Sequence, residues 1–292
     1  MENLIIEYSS RHYPPNLKKI DKPPKRLYIQ GNLEILENHG IAVVGSRTNT
    51  QYGEKMCKIF TKELVKYDFN IISGLAKGID TIAHTTAIKN GGKTIAVLPC
   101  GIKNIYPKEN ISLAKSILEN GGLLVSEYEN NEKADSNKFR ERNRIVAGLG
   151  IGTLVIEAGE KSGTNITARH TISQQKTLFA IPSSLENKKG ITSNNLIKKG
   201  ANLVTKIEDI LNKYPEINFK VKDIEEKDIY IDIPKDLIEI YKTINDEPKT
   251  IDEIIIKTGL PVNEVNSKIT LLEIEEKIIQ LSNGKYVRKN DE

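Results

Sequence analysis

The sequence predicts an α/β fold: an extended Rossmann-like, doubly wound, mostly parallel sheet, followed by a small C-terminal winged-helix domain. Three observations point there. Between residues 41 and 211, short β-branched runs alternate with amphipathic stretches of helix length. The runs are continuously apolar, as in strands buried on both faces and joined by right-handed helical crossovers. Three of them end in turns of glycine and small hydroxyl residues that lead straight into a helical segment.

Residues 1–40 contain Tyr13-Pro14-Pro15 and Lys22-Pro23-Pro24, too short to fold alone, and are expected as an N-terminal extension packing on the sheet domain. That domain spans 41–212. Strands are expected at 41–45, 70–73, 94–98, 123–126, 153–157 and 177–181, with helices at 52–67, 79–89, 111–119, 138–148 and 164–175. The stretch 213–234, rich in Lys, Asp and Glu, reads as a linker. In 235–290, Leu237, Ile240, Tyr241 and Ile244 fall at helical spacing, and Thr250 with Glu253 forms a capping box. A third helix runs from Val262 to Glu275, and Asn283-Gly284 closes a terminal hairpin.

The formal charge of +4 hides an asymmetry. From Asp236 to Glu292 there are eight Lys/Arg against twelve Asp/Glu, a charge of −4, so the first 235 residues carry +8. The sheet domain is therefore the part suited to a polyanion. No run approaches the roughly 18–20 apolar residues that span a bilayer. Met1 to Arg11 carries acidic and polar residues where a signal peptide is apolar, so a cytoplasmic protein with no membrane partner is expected. Cys57 and Cys100 form no C-x-x-C pair, and His12, His39, His84 and His170 lie far apart. No metal and no cofactor are expected.

The three turns carry the chemistry. Gly45-Ser46-Arg47, Ser73-Gly74-Leu75-Ala76-Lys77-Gly78 and Gly159-Glu160-Lys161-Ser162-Gly163-Thr164 each place backbone amides at a helix start. Such amides, with the partial positive charge of the helix end, suit an anion. Arg47 adds a planar fork matched to phosphate. Lys138-Phe139-Arg140-Glu141-Arg142-Asn143-Arg144 is the densest basic run and holds an aromatic on which a base can stack. Neither the dinucleotide fingerprint nor a P-loop is present: Gly148-Leu149-Gly150 precedes its strand, and Lys161-Ser162 lacks the required glycine spacing. Asp80 and His84 read as a helix cap and a satisfied histidine, and Glu157 as a cap.

Read together, these segments resemble the DprA/Smf family of DNA-processing proteins. The likeness lies in Val44-Gly45-Ser46-Arg47, the run Ser73 to Asp80, Tyr106-Pro107, Phe139 through Leu149, and Glu157-Ala158 with Ser162 to Ala168. The resemblance implies a non-enzymatic protein that binds single-stranded DNA, forms a homodimer, protects incoming strands and loads the RecA recombinase during natural transformation. It places DNA at Gly45, Ser46 and Arg47, at Ser73, Gly74, Leu75 and Lys77, and at Lys108. The same surface continues over Lys138, Phe139, Arg142 and Asn143 to Lys161, Ser162, Gly163 and Thr164. The third turn also resembles the phosphate loop of Rossmann-like nucleoside-monophosphate glycosidases, an alternative in which Glu157 is the acid. The tail resembles the winged-helix domain of some family members. Its third helix carries Glu264, Glu273 and Glu275 against Lys268, so it is expected to add little DNA affinity and to serve a protein contact or self-association instead.

Overall fold

The computed structural model describes residues 4–160, 162–219, 221, 233–234, 236–244 and 248–289. The chain divides into two compact units, Met1–Ile224 and Glu225–Glu292. In the first, β1 (Leu4–Glu7), α1 (Pro15–Lys18), β2 (Arg26–Gly31) and β3 (Gly40–Val44) lead into α2 (Gln51–Lys66), β4 (Asn70–Ser73), α3 (Ile79–Lys89) and β5 (Thr94–Leu98). Then follow α4 (Ile111–Glu119), β6 (Leu123–Ser126), α5 (Ser136–Leu149), β7 (Gly152–Val155) and α6 (Thr164–Ser173). The unit ends with β8 (Thr177–Ala180), α7 (Ile191–Lys198), β9 (Asn202–Leu203) and α8 (Glu208–Leu211).

These strands form one sheet in the order β1-β2-β6-β5-β4-β3-β7-β8-β9. All pairs from β6 to β9 are parallel, whereas β1–β2 and β2–β6 are antiparallel. The six expected strands are present, with ends shifted by at most two residues. The extension contributes more than packing, because it adds two strands to the sheet edge. The apolar triplets Leu4-Ile5-Ile6 and Leu27-Tyr28-Ile29 decide that outcome, and the prolines only shape the connection between them.

Every residue of β3 is buried, and alternation sends its side chains to opposite faces. Ile41 and Val43 join Phe60 and Leu64 of α2, while Ala42 and Val44 join Ile145, Val146 and Leu149 of α5. The result is a three-layer α/β/α unit. β3 is also where the winding reverses: β4, β5 and β6 lie to one side of it, and β7, β8 and β9 to the other. In open α/β sheets, ligands bind beyond the carboxyl ends of the strands at such a switch point.

The stretch expected as a linker begins later than 213. Tyr214 is buried and donates its hydroxyl to the Ile151 carbonyl, 3.2 Å away. Phe219 lies 5.0 Å from Phe69, ring centroid to centroid. Apolar residues spaced among charges look solvated by composition, yet here they close the core beneath β7. Residues 222–232 lie outside the described residues.

In the second unit, α9 (Ile238–Thr243), α10 (Ile251–Thr258) and α11 (Val262–Ile274) pack around Ile240, Ile254, Val265 and Leu272. The hairpin β10 (Ile278–Gln280) and β11 (Tyr286–Arg288) completes a winged helix. The capping box is formed: Thr250 Oγ1 accepts from the Glu253 amide, and the Glu253 carboxylate accepts from the Thr250 amide at 2.7 Å. Glu264 on α11 is paired with Lys268 at 2.6 Å.

Candidate nucleic-acid interface

The glycine turns after β4, β3 and β7 leave three neighbouring strands, so the sheet carries them to one place. With the N-terminal half of α5 they line an open cleft of about 890 Å³. Gly45, Ser46, Arg47, Gly74, Phe139, Arg142 and Asn143 line it, as do Ser162, Gly163 and Thr164. Lys161 lies outside the described residues.

Several residues named from sequence are elsewhere. Ser73 is buried and donates its hydroxyl to the Val43 carbonyl at 2.6 Å. Leu75 has a positive φ of 57° and a fully buried side chain, so it anchors a strained turn in the core. Lys77 pairs with Glu109 at 2.6 Å, and Lys138 with Glu132 at 2.7 Å; both lie off the cleft wall, as does Lys108. Lys77 and Lys138 sit in the right segments of chain but are engaged by carboxylates outside the cleft lining. Arg144, in the same basic run, forms an ion pair with Glu127 at 2.5 Å.

The second turn is occupied by the protein itself. The amides of Gly74 and Ala76 both donate to Asp80 Oδ2, at 3.1 and 3.3 Å. The Asp80 carboxyl fills the nest expected for phosphate. Burial raises its pKa, opposed first by the nearby Arg142 guanidinium. Arg142 is only 3% exposed and donates Nη1 to the carbonyls of Gly74 and Val97, and Nε to Asn143 Oδ1. Burial pushes it down to about 10, with Asp80 pulling up and Arg47 pulling down, so it stays charged at neutral pH. Glycine is required at position 74 because a Cβ there would overlap that guanidinium. Arg142 is thus a tie between α5 and the ends of β4 and β5.

The third turn is likewise largely self-satisfied. Ser162 Oγ accepts from the Thr164 amide at 3.2 Å, and the Ser162 carbonyl from the Asn165 amide. The exposed charges of the cleft are therefore what it offers an anion, and they are mixed: Arg47, Arg140 and Lys189 line it together with the carboxylates of Asp135 and Glu160. Among the described residues no ion pair engages Arg47, Arg140 or Lys189, and all three are exposed on the cleft wall. The Arg47 guanidinium lies over the Phe139 ring, 5.0 Å from its centroid. Lys189 and the cleft-lining Tyr106 received no role from sequence. Lys189 enters on the loop between β8 and α7, where nothing marks it apart from other lysines.

Glu157 is fully buried and is not on the cleft wall. Its carboxylate accepts from the Thr50 amide (2.8 Å), the Thr50 hydroxyl (2.6 Å) and Asn187 Nδ2 (2.9 Å). It braces the start of α2 and the β8–α7 loop, and this geometry lends no support to an acid role.

His84 is buried behind the same turn. The Thr94 hydroxyl donates to the Ile71 carbonyl, so it receives the Nδ1 proton of His84 at 2.7 Å. Burial first, then Arg142, pushes the imidazole from 6.5 down to about 3. In the unfolded chain it takes up a proton below about 6.5 and in the folded chain it does not, so stability falls as pH drops through that window. Linkage gives a loss of about 2 kcal/mol between pH 7 and pH 5 from this group. Urea midpoints at the two pH values should show it, and His84→Gln should flatten the dependence.

The fold is that of a doubly wound α/β protein with an open, charged cleft at its switch point, beside an aromatic. The chain belongs to the DprA/Smf family: the model for DNA recombination-mediator protein A matches residues 4–215, and that for the DprA winged helix domain residues 233–284. It is 36% identical over 294 residues to Protein Smf of Escherichia coli, covering 97% of this chain and 77% of that one. DNA processing protein A from Streptococcus pneumoniae is similar in structure, with a TM-score of 0.69 at 38% identity, over 75% of each chain. So is DNA processing protein A from Helicobacter pylori, whose structure concerns its single-stranded DNA binding mode. That match has a TM-score of 0.67 at 31% identity, over 75% of this chain and 98% of the other.

Proposed function

We propose that the cleft binds single-stranded DNA and that the protein, as a homodimer in the cytoplasm, protects incoming strands and hands them to the RecA recombinase in recombination and natural transformation. The observation that carries the reading is the set of unpaired cations, Arg47, Arg140 and Lys189, on one cleft that also holds Phe139 and Tyr106. Single-strand sites combine a cationic track for the backbone with aromatic platforms for bases. The single-stranded DNA binding mode described for the Helicobacter pylori relative supports the substrate. Membership of a recombination-mediator family supports the hand-over. Among the described residues no helix is long and apolar enough to cross a membrane.

The test is a salt series of gel shifts with single- and double-stranded oligonucleotides. Each phosphate neutralised on a single strand contributes about −0.7 to the log–log slope, so three free cations give roughly −2. Binding that ignores salt, or that favours the duplex, overturns the reading. A chain ending after Phe219, which keeps that ring against Phe69, should bind the strand within about twofold of the full protein. The acidic α11 offers phosphates little attraction.

A further inference from the structure

The aromatic named from sequence as the base platform is already partly covered. Arg47 lies over one face of Phe139, and Tyr106 meets the same ring edge-on at 74°, with centroids 5.5 Å apart. Phe139 is half-buried, whereas Tyr106 is 49% exposed and lines the cleft. Whichever ring presents its edge, this contact covers at most one face of the half-exposed Tyr106, and Arg47 already covers one face of Phe139. The two separations, 5.0 and 5.5 Å, put the Arg47 guanidinium and the Tyr106 ring no more than 10.5 Å apart. One short stretch of strand reaches both.

We propose that Tyr106 is the base-stacking residue of the cleft, and that Phe139 acts beneath it as a positioning residue that orients the Arg47 guanidinium toward phosphate. This rests on the reading of the cleft as a single-strand site. Stacking uses the π-face that every base has, so the contact is tolerant of sequence. The guanidinium keeps its in-plane N–H donors free for phosphate while its face rests on Phe139.

The test compares an oligothymidylate with an oligonucleotide of equal length made of abasic residues, which keeps the phosphates and removes the bases. Tyr106→Ala should weaken oligothymidylate binding roughly ten- to a hundredfold and leave abasic binding within about twofold. Phe139→Leu should weaken both, because it removes the support of Arg47. The chain has no tryptophan, so Tyr106→Trp introduces a single indole reporter. Its emission should be quenched by oligothymidylate and unchanged by the abasic strand. Equal losses on both strands in Tyr106→Ala, or an indole that does not respond to bases, overturns the assignment. A wild-type protein that binds neither strand instead overturns the single-strand reading itself, so the two failures are distinct.

Discussion

Replacing Arg47 by alanine is expected to lower single-strand affinity by roughly ten- to a hundredfold. Charged hydrogen bonds are worth about 1.5–3 kcal/mol, and 1.4 kcal/mol is tenfold. The guanidinium is exposed, has no described carboxylate partner and is held over Phe139, so little internal structure depends on it. Fold stability should therefore move by less than about 0.5 kcal/mol, as for surface changes generally. The loss should be uniform across sequences, because a phosphate contact carries no base information. The salt slope should fall in magnitude by about 0.7. Arg47→Glu should go further, since it adds repulsion where attraction was removed. Gel shifts across salt concentrations check all of these, and unchanged binding in Arg47→Glu would show that the strand lies elsewhere.

Most of the sheet was legible because buried parallel strands announce themselves as unbroken apolar runs, and the glycine turns mark where they end. The added strands β1 and β2 were not, because each is a short apolar stretch and the pairing that joins them to the sheet is distant: β2 pairs with β6, some hundred residues on, and β1 lies outside it at the edge. The cleft was legible in outline for a similar reason. Its turns are local in sequence, and the topology alone brings them to one switch point. Which cations face it was not legible. Lys77 and Lys138 sit in the expected segments but answer carboxylates of other segments, Glu109 and Glu132. The role of Asp80 was half visible: its place at the start of a helix suggests a cap, but that it occupies the nest meant for phosphate requires knowing that Gly74 and Ala76 curl around it. Lys189 gave no signal, since its position depends on how Asn187 and Glu157 tie down a loop 30 residues from that carboxylate.

Arg142 tests whether a basic residue in the densest basic run works inside the protein or on the strand. Its guanidinium is buried, donates to the carbonyls of Gly74 and Val97, and lies near enough to Asp80 to feel its charge without an ion pair to it. Arg142→Met keeps the volume of the side chain but leaves the carbonyls of Gly74 and Val97 without their donor and removes the cation near Asp80, which costs about 2–6 kcal/mol. Against a total of about 5–15 kcal/mol for a domain, that is a shift large enough to read in urea unfolding. Adding Asp80→Asn should recover part of the loss, because the neutral amide still accepts from Gly74 or Ala76 and no longer needs a counter-charge. The two changes should therefore be strongly non-additive in stability. DNA affinity separates the alternatives. If Arg142→Met leaves stability within about 1 kcal/mol while weakening single-strand binding as much as Arg47→Ala, then Arg142 turns outward to phosphate and the internal tie is wrong. If stability collapses, and the double variant regains both its midpoint and most of its binding, the internal tie through Arg142, with the charge of Asp80 near it, is the scaffold on which the cleft is built.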